Sequence, residues 1–298
     1  NRKNTPLEKL LWRIVSDGSE RFDTHFDLAV SYIEGGSAYY VHDHVSAAKK
    51  AAFVHVDYVQ AGYTRRLDKD CYVDFDRIFA VSDETAGVLA GVYPECQQKL
   101  SVFHNLIDTE AIRQKALLPA EKSMHEGIRL LTVGRLTPQK GFDCAVYALK
   151  LLLEKQYPVY WYIIGEGPEY GRLTQLARSL HVEDHFIFLG MQTNPYPYFK
   201  MADFYIHATR FEGKSIAIQE AQALGCAIAA SDCSGNREQI VSGVDGLLCP
   251  FSPEGIANAV EYLIEHPQTA QSFGRAAAQK ACYFENDIHM IRDLLYSP

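Results

Sequence analysis

The sequence predicts an α/β protein of two doubly wound, Rossmann-like domains, the first of them incomplete. Three observations carry this. Short apolar runs alternate with longer segments of helical periodicity along most of the 298 residues, the pattern of parallel α/β sheets. The runs are nearly continuous in apolar residues, as strands buried on both faces should be. A polar stretch at 118–127, LPAEKSMHEG, separates two series of such runs of unequal length.

In the first series the strands are read at Asp27–Ile33, Ala51–Val56, Arg77–Val81 and Leu100–His104. In the second they are Ile128–Val133, Val159–Ile164, Phe186–Leu189, Asp203–His207, Ala227–Ala230 and Gly246–Cys249. Between them lie helical patterns. Glu169–Leu180 carries Leu173, Leu176, Ala177 and Leu180 at helical spacing, and Pro253–Ile264 carries Ile256, Val260, Leu263 and Ile264. Leu7–Val15 also reads as a helix. Six strands suffice for a complete Rossmann-like sheet. The four before the linker do not, so the first domain is expected to lack its opening strands. The implied division is 1–117, a linker at 118–127, a second domain at 128–285 and a terminal segment at 286–298.

Composition narrows the function. The chain is 47% hydrophobic and 22% charged, with a net charge of −8. An acidic protein does not gather polyphosphate through its overall field, so nucleic acid is excluded as a partner class. A local basic pocket for one small phosphate ligand is still compatible. The seven cysteines, at 71, 96, 144, 226, 233, 249 and 282, include no CxxC pair. Cys144, Cys226 and Cys249 sit in apolar runs, as buried thiols do. This predicts a reducing, cytoplasmic setting without disulfides or a zinc site. No apolar run approaches the roughly 18 residues of a transmembrane helix, and the start is no signal peptide. The first residue is Asn1 rather than Met, as in a processed chain or a piece of a longer one.

Four stretches carry chemistry. In FEGKSIAIQEAQAL (211–224), Glu212 and Glu220 flank seven residues, and Ile216–Leu224 reads as a helix. A helix N-terminus offers free N–H groups and a positive dipole end to a phosphate. The amides of Lys214, Ser215 and Ile216 could cradle a diphosphate, with Glu220 accepting from ribose hydroxyls and Glu212 from sugar hydroxyls. A fully helical segment would separate the two carboxylates by roughly 12 Å, about the span from a ribose across a diphosphate to a sugar. Spacing alone favours a capped surface helix with two solvated glutamates. In LTVGRLTPQKGFD (131–143), a strand ends at Gly134, and Arg135 and Lys140 follow. Cations beyond a strand's carboxyl end can neutralise a diphosphate, Arg135 bidentately. The alternative is a solvated basic loop. IIGEGP (163–168) lacks the full G-x-G-x-x-G form and reads as a tight turn. His55 ends the run AAFVHV, where an imidazole could bind a sugar hydroxyl or stabilise developing charge, or simply pack. Two D-x-D strings, Asp68–Asp70 and Asp74–Asp76, read as solvated acidic turns away from this site, so no metal site is assigned.

Taken in order, GRLTPQKGFD, IGEGP, FLGMQTNPY, FEGKSIAIQEAQALG and SGNREQIVSGVDGLL resemble the retaining glycosyltransferases of family 4, which have the GT-B fold. The resemblance runs from Leu100 to Leu248 and reaches back through FDLAVSYIEGG, AAFVHVDY and DRIFAVSDE. Glu212 and Glu220 fall on that family's E-x7-E motif, Arg135 and Lys140 on its diphosphate-binding pair, and His55 on its active-site histidine. HNLID (104–108) resembles its segment near the hinge. EGKSIAIQEA is similar to members that build bacterial surface polysaccharide or lipopolysaccharide.

The resemblance implies catalytic roles for His55 and Glu212, and donor binding by Arg135, Lys140, Lys214, Ser215, Ile216 and Glu220. It implies transfer from a UDP- or GDP-linked sugar to a saccharide or lipid-linked acceptor, with configuration retained. No metal or other cofactor is implied. A peripheral contact of the first domain with the inner membrane face is left open. Asp287–Tyr296 should form a helix crossing back to the first domain. The Gly-rich opening loop of the family is missing before Asp27, so weak or absent transfer by this chain is expected. A nucleotide-sugar-binding fragment and a nucleotide-sugar epimerase stand as alternatives.

Overall fold

A computed structural model describes residues 11–12, 14–281 and 287–296. The helix expected at Leu7–Val15 falls mainly outside the described residues. The chain divides into two units. Unit 1 takes the residues up to Leu106 together with the C-terminal helix (Ile288–Tyr296), and unit 2 begins at Ile107.

In unit 1, β1 (His25–Ser31), β2 (Ser46–Val54), β3 (Arg77–Ala80) and β4 (Leu100–Val102) form a parallel sheet in that order. β2 starts at Ser46, ahead of the apolar run, because the polar segment SAAKK pairs with β1 from His25↔Ser46 onward. Backbone pairing, not side-chain apolarity, extends it. The helices are α1 (Gly36–His44), α2 (Arg65–Asp68) and α3 (Asp83–Val92), the last capped by Ser82, whose hydroxyl accepts from Thr85 N. One core holds Ala52, Val54, Tyr58, Tyr72, Phe75 and Tyr93. Another joins Phe53, Phe79 and Phe103 to Leu294 of the C-terminal helix. At the head of that helix Asp287 is buried. Its Oδ2 accepts from His104 N at 2.7 Å and lies 2.8 Å from His104 Nδ1.

One expectation is corrected here. Asp68 is not a solvated turn residue. It is 2% exposed and accepts short hydrogen bonds from the Tyr39 and Tyr58 hydroxyls. Lys69 and Asp70 adopt left-handed backbone (φ 50° and 58°), which parts the two aspartates of the string. Asp70 stays at the surface, 2.6 Å from Arg65. Burial, then the neighbouring Asp68 carboxylate, pushes the Tyr39 phenol far above its usual range, so it remains a donor.

Unit 2 opens with α4 (Thr109–Lys115), ahead of the expected linker. Its Ile112 packs with Ala223 and Ala281, and Arg113 Nε donates to Ala223 O at 3.1 Å. These contacts tie the segment to unit 2 and move the boundary from 118–127 to Leu106/Ile107. The strands are β5 (Ile128–Val133), β6 (Val159–Ile164), β7 (Phe186–Gly190), β8 (Phe204–His207), β9 (Ala227–Ser231) and β10 (Leu247–Cys249). They lie parallel in the order β10-β9-β8-β5-β6-β7. The helices are α5 (Phe142–Glu154), α6 (Tyr170–Ser179), α7 (Tyr196–Met201), α8 (Ile216–Ala223), α9 (Ser234–Arg237), α10 (Pro253–Glu265) and α11 (Pro267–Ala281). Phe142, Ala145, Val146, Leu149 and Leu152 put one face of α5 into the core beside Trp161 and Phe186. Strand order reverses between β5 and β8. Ligands of open α/β sheets bind beyond the strands' carboxyl ends at such a switch point. No helix among the described residues is long and apolar enough to cross a membrane.

Candidate functional site

Two loops leave the switch point. The first follows β5 and carries Arg135 and Lys140. It is pressed closely by the turn after β6. Gly165 has φ +138°, and a Cβ there would sit 2.0 Å from Gly134 O. The glycines of IIGEGP therefore do more than permit a turn, since they let two backbones touch. Beside them, beyond β6 and β7, lies a cavity of about 520 Å³ lined by Glu166, Tyr170, Phe188 and Leu189 among others.

The second loop follows β8 and leads into α8. Ser215 is the N-cap residue (φ −84°, ψ 117°), and its side chain makes no capping hydrogen bond. The opening N–H groups of α8 are thus left to other acceptors. Residues 211–215 are not helical, so Glu212 precedes the helix that carries Glu220, and the fully helical separation does not apply. Gly235 of α9 holds this loop from behind, because a Cβ there would lie 2.2 Å from Gly213 O and 2.4 Å from Glu212 O.

The loops are also cross-tied. Gln139 Nε2 donates to Phe211 O at 2.9 Å, and Arg210 N donates to Gln139 O at 2.8 Å. Arg210 grips Asp143 with two hydrogen bonds, of 3.0 and 2.7 Å. Burial alone would raise the Asp143 pKa, but Arg210 holds it below the usual carboxylate range.

At the centre, Lys140 Nζ donates a short hydrogen bond to Glu212 Oε2. His207 Nε2 lies 3.5 Å from the same oxygen. Burial opposes ionisation of Glu212, yet His207 and Lys140 outweigh it and hold the carboxyl at about 2. Burial also lowers the His207 pKa, so its imidazole is neutral. Glu220 accepts from the Tyr196 hydroxyl at 2.9 Å. Burial raises its pKa, and Tyr196 only partly offsets this. Arg135 is exposed and forms no ion pair among the described residues. Lys214 and Ile216 stand beside Ser215, with Ile216 exposed and Ser215 buried.

The structure thus brings Lys140 and Glu212 into contact, and it sets Arg135, Lys214, Ser215, Ile216 and Glu220 on the same two loops and α8. His55 belongs to unit 1, directly after β2. Its backbone N donates to Glu34 Oε2 at 2.9 Å, and its ring packs 5.2 Å from Tyr32. His207, Gln139, Arg210, Asp143 and Tyr196 were not singled out from the sequence. A histidine closing a strand four residues before FEGK was the one available signal.

Comparison with known proteins follows the same residues. Residues 113–280 match the family described as Glycosyl transferases group 1. The chain is 30% identical over 200 residues to N-acetylgalactosamine-N,N'-diacetylbacillosaminyl-diphospho-undecaprenol 4-alpha-N-acetylgalactosaminyltransferase of Campylobacter jejuni, covering 66% of this chain and 53% of that one. It is 29% identical over 175 residues to the amylovoran biosynthesis glycosyltransferase AmsK of Erwinia amylovora, covering 56% and 41%. The chain spans about half the length of the curated relatives it matches. Among solved structures, Anabaena Alr3699/HepE in complex with UDP-glucose superposes with a TM-score of 0.75 at 18% identity, covering 98% of this chain and 83% of that one. A likeness at that identity bears on the fold, which is GT-B.

Proposed function

The chain is a member of the glycosyl transferases group 1, and on that premise we propose that it moves a sugar from a nucleoside diphosphate to an acceptor hydroxyl with retention of configuration. The observation that carries this is the contact of Lys140 with Glu212 between the loops that follow β5 and β8, at the switch point of unit 2; Arg135 lies on the loop of Lys140, and the loop of Glu212 leads into α8, whose N-cap Ser215 makes no capping side-chain hydrogen bond. Two cations and a helix N-terminus are complementary to a diphosphate leaving group. They can balance its charge without a divalent metal. Glu220, steadied by Tyr196, is assigned to the ribose, and Glu212 to the sugar. His55 of unit 1 is assigned a part in transfer.

The proposed chemistry is a front-face displacement. The bond from the anomeric carbon to the phosphate oxygen breaks, and the acceptor oxygen bonds to the same face of that carbon. The acceptor proton passes to the departing phosphate oxygen. Arg135, Lys140 and the amides at Lys214, Ser215 and Ile216 take up the negative charge that develops there. UDP is the favoured nucleotide, because the HepE structure contains UDP-glucose. A saccharide or lipid-linked acceptor in surface polysaccharide assembly is favoured by the names of the Campylobacter and Erwinia relatives, and a peripheral membrane contact belongs to the same proposal.

Turnover of UDP-sugars with and without saccharide acceptors, with NMR assignment of the product anomer, tests this. Retained configuration is the expected result. An inverted product would refute the displacement, and isomerised donor in the absence of acceptor would favour the epimerase alternative.

A further inference from the structure

His207 closes β8 and is 2% exposed. Its Nε2 is buried and has no hydrogen-bond partner among the described residues, yet Glu212 Oε2 lies 3.5 Å away. Its Nδ1 lies 3.2 Å from the Tyr205 hydroxyl, which is also 3.5 Å from Val133 O. Only two neutral arrangements are open. With the proton on Nδ1, His207 donates to Tyr205, Tyr205 donates to Val133, and a bare Nε2 lone pair faces a carboxylate in a buried place. With the proton on Nε2, Tyr205 donates to Nδ1 and Nε2–H points at Glu212. The second costs one long hydrogen bond and removes a buried repulsion between two acceptors, so it is the lower in energy.

We propose that His207 is a positioning residue for Glu212, a neutral imidazole protonated on Nε2 and held in that tautomer by Tyr205. This rests on the donor reading above. Lys140 and His207 share one oxygen of the carboxylate, Oε2, which leaves Oε1 to accept a sugar hydroxyl. Lys140 is also a diphosphate ligand in that reading. When it turns to the phosphate, Glu212 would otherwise be a buried carboxylate without a donor. His207 remains as the standing donor, so Glu212 stays ionised and oriented while Lys140 serves the leaving group. The charged and titratable groups acting on this pair are Lys140, Tyr205 and, through Tyr205, Glu220 and Cys226.

Ring nitrogen shifts of ¹⁵N-histidine in the 298-residue chain read the tautomer without any ligand, with His207→Gln identifying the signal. The expected state at neutral pH is Nε2 protonated and Nδ1 bare. A proton on Nδ1, or on both nitrogens, overturns the proposal. Kinetics supply the second readout, as UDP released from UDP-glucose. His207→Leu should slow release about 10-fold or more by removing a hydrogen bond to a charged group. It should raise the acid limb of the rate profile and leave UDP affinity within about twofold, since Glu212 is not a nucleotide contact. His207→Gln, which restores an N–H donor, should recover most of the rate. Equal losses in both variants with an unmoved acid limb would reduce His207 to packing and overturn the proposal. A wild-type chain that binds no UDP would refute the donor reading and leave the tautomer result standing.

Discussion

Lys140 and Glu212 lie 72 residues apart in sequence and share a short hydrogen bond at the carboxyl ends of β5 and β8. The sequence offers them as two separate motifs, one for phosphate and one for sugar. Their contact makes them one charge system, and its pH behaviour follows.

Glu212 is held at about 2, against an ordinary 4.5. A carboxyl with a depressed folded pKa contributes stability that is present above its unfolded value. That stability is lost as pH falls through the folded value. Melting temperature should therefore decline between about pH 4.5 and pH 2. In Lys140→Met one of the two groups lowering this pKa is gone, so the decline should be smaller and should end at higher pH. Thermal melts across that range check it, and identical acid profiles for the two proteins would contradict it.

Arg135→Ala and Lys140→Ala should each slow transfer by roughly 10- to 150-fold, the worth of one charge-assisted hydrogen bond in the transition state. Steady-state rates with a UDP-sugar donor measure this. Activity within about twofold of wild type for either variant would remove it from the leaving-group site.

Glu220→Ala should weaken donor binding, because a ribose contact is made in ground and transition states alike. Glu212→Ala should lower turnover more than affinity. The raised pKa of Glu220 adds a pH signature. Its carboxylate form is the better acceptor, so UDP affinity should fall as pH drops through that raised value, and Glu220→Gln should flatten the dependence. A reversed split between the two glutamates would mean that their roles are exchanged.

Gly235→Ala should be costly although no side chain is lost. The added Cβ meets the carbonyl oxygens of Gly213 and Glu212, which are backbone atoms that cannot swing aside. Overpacking of this kind typically costs about 1–3 kcal/mol, and here it also displaces the loop that carries Glu212. Both melting temperature and turnover should drop. A variant with wild-type turnover would show that the loop tolerates the shift.

Much of the fold was legible because strands buried on both faces announce themselves as apolar runs. β5 and β6 were read with their observed ends. β2 was read late because SAAKK is polar and becomes strand only by pairing with β1. The boundary between the units was misplaced for a similar reason. The anchoring of α4 is tertiary, through Ile112 and Arg113, and a polar linker is a louder signal than a buried helix. Asp68 escaped notice because its three-tyrosine setting of Tyr39, Tyr58 and Tyr93 is assembled from distant segments. Arg135, Lys140, Glu212 and Glu220 lie in motifs that were legible by their order along the chain rather than by the spacing within any one of them. His207 and Tyr196 are single residues inside a strand and a helix, and only their partners give them a meaning.

Unit 2 is proposed to bind a nucleoside diphosphate through protein charge alone. Calorimetric titration of UDP into the 298-residue chain with excess chelator tests it most directly. Saturable binding at one site is expected, weakened by Arg135→Ala, by Lys140→Ala and by Glu220→Ala. Binding that appears only when magnesium or manganese is restored would contradict it.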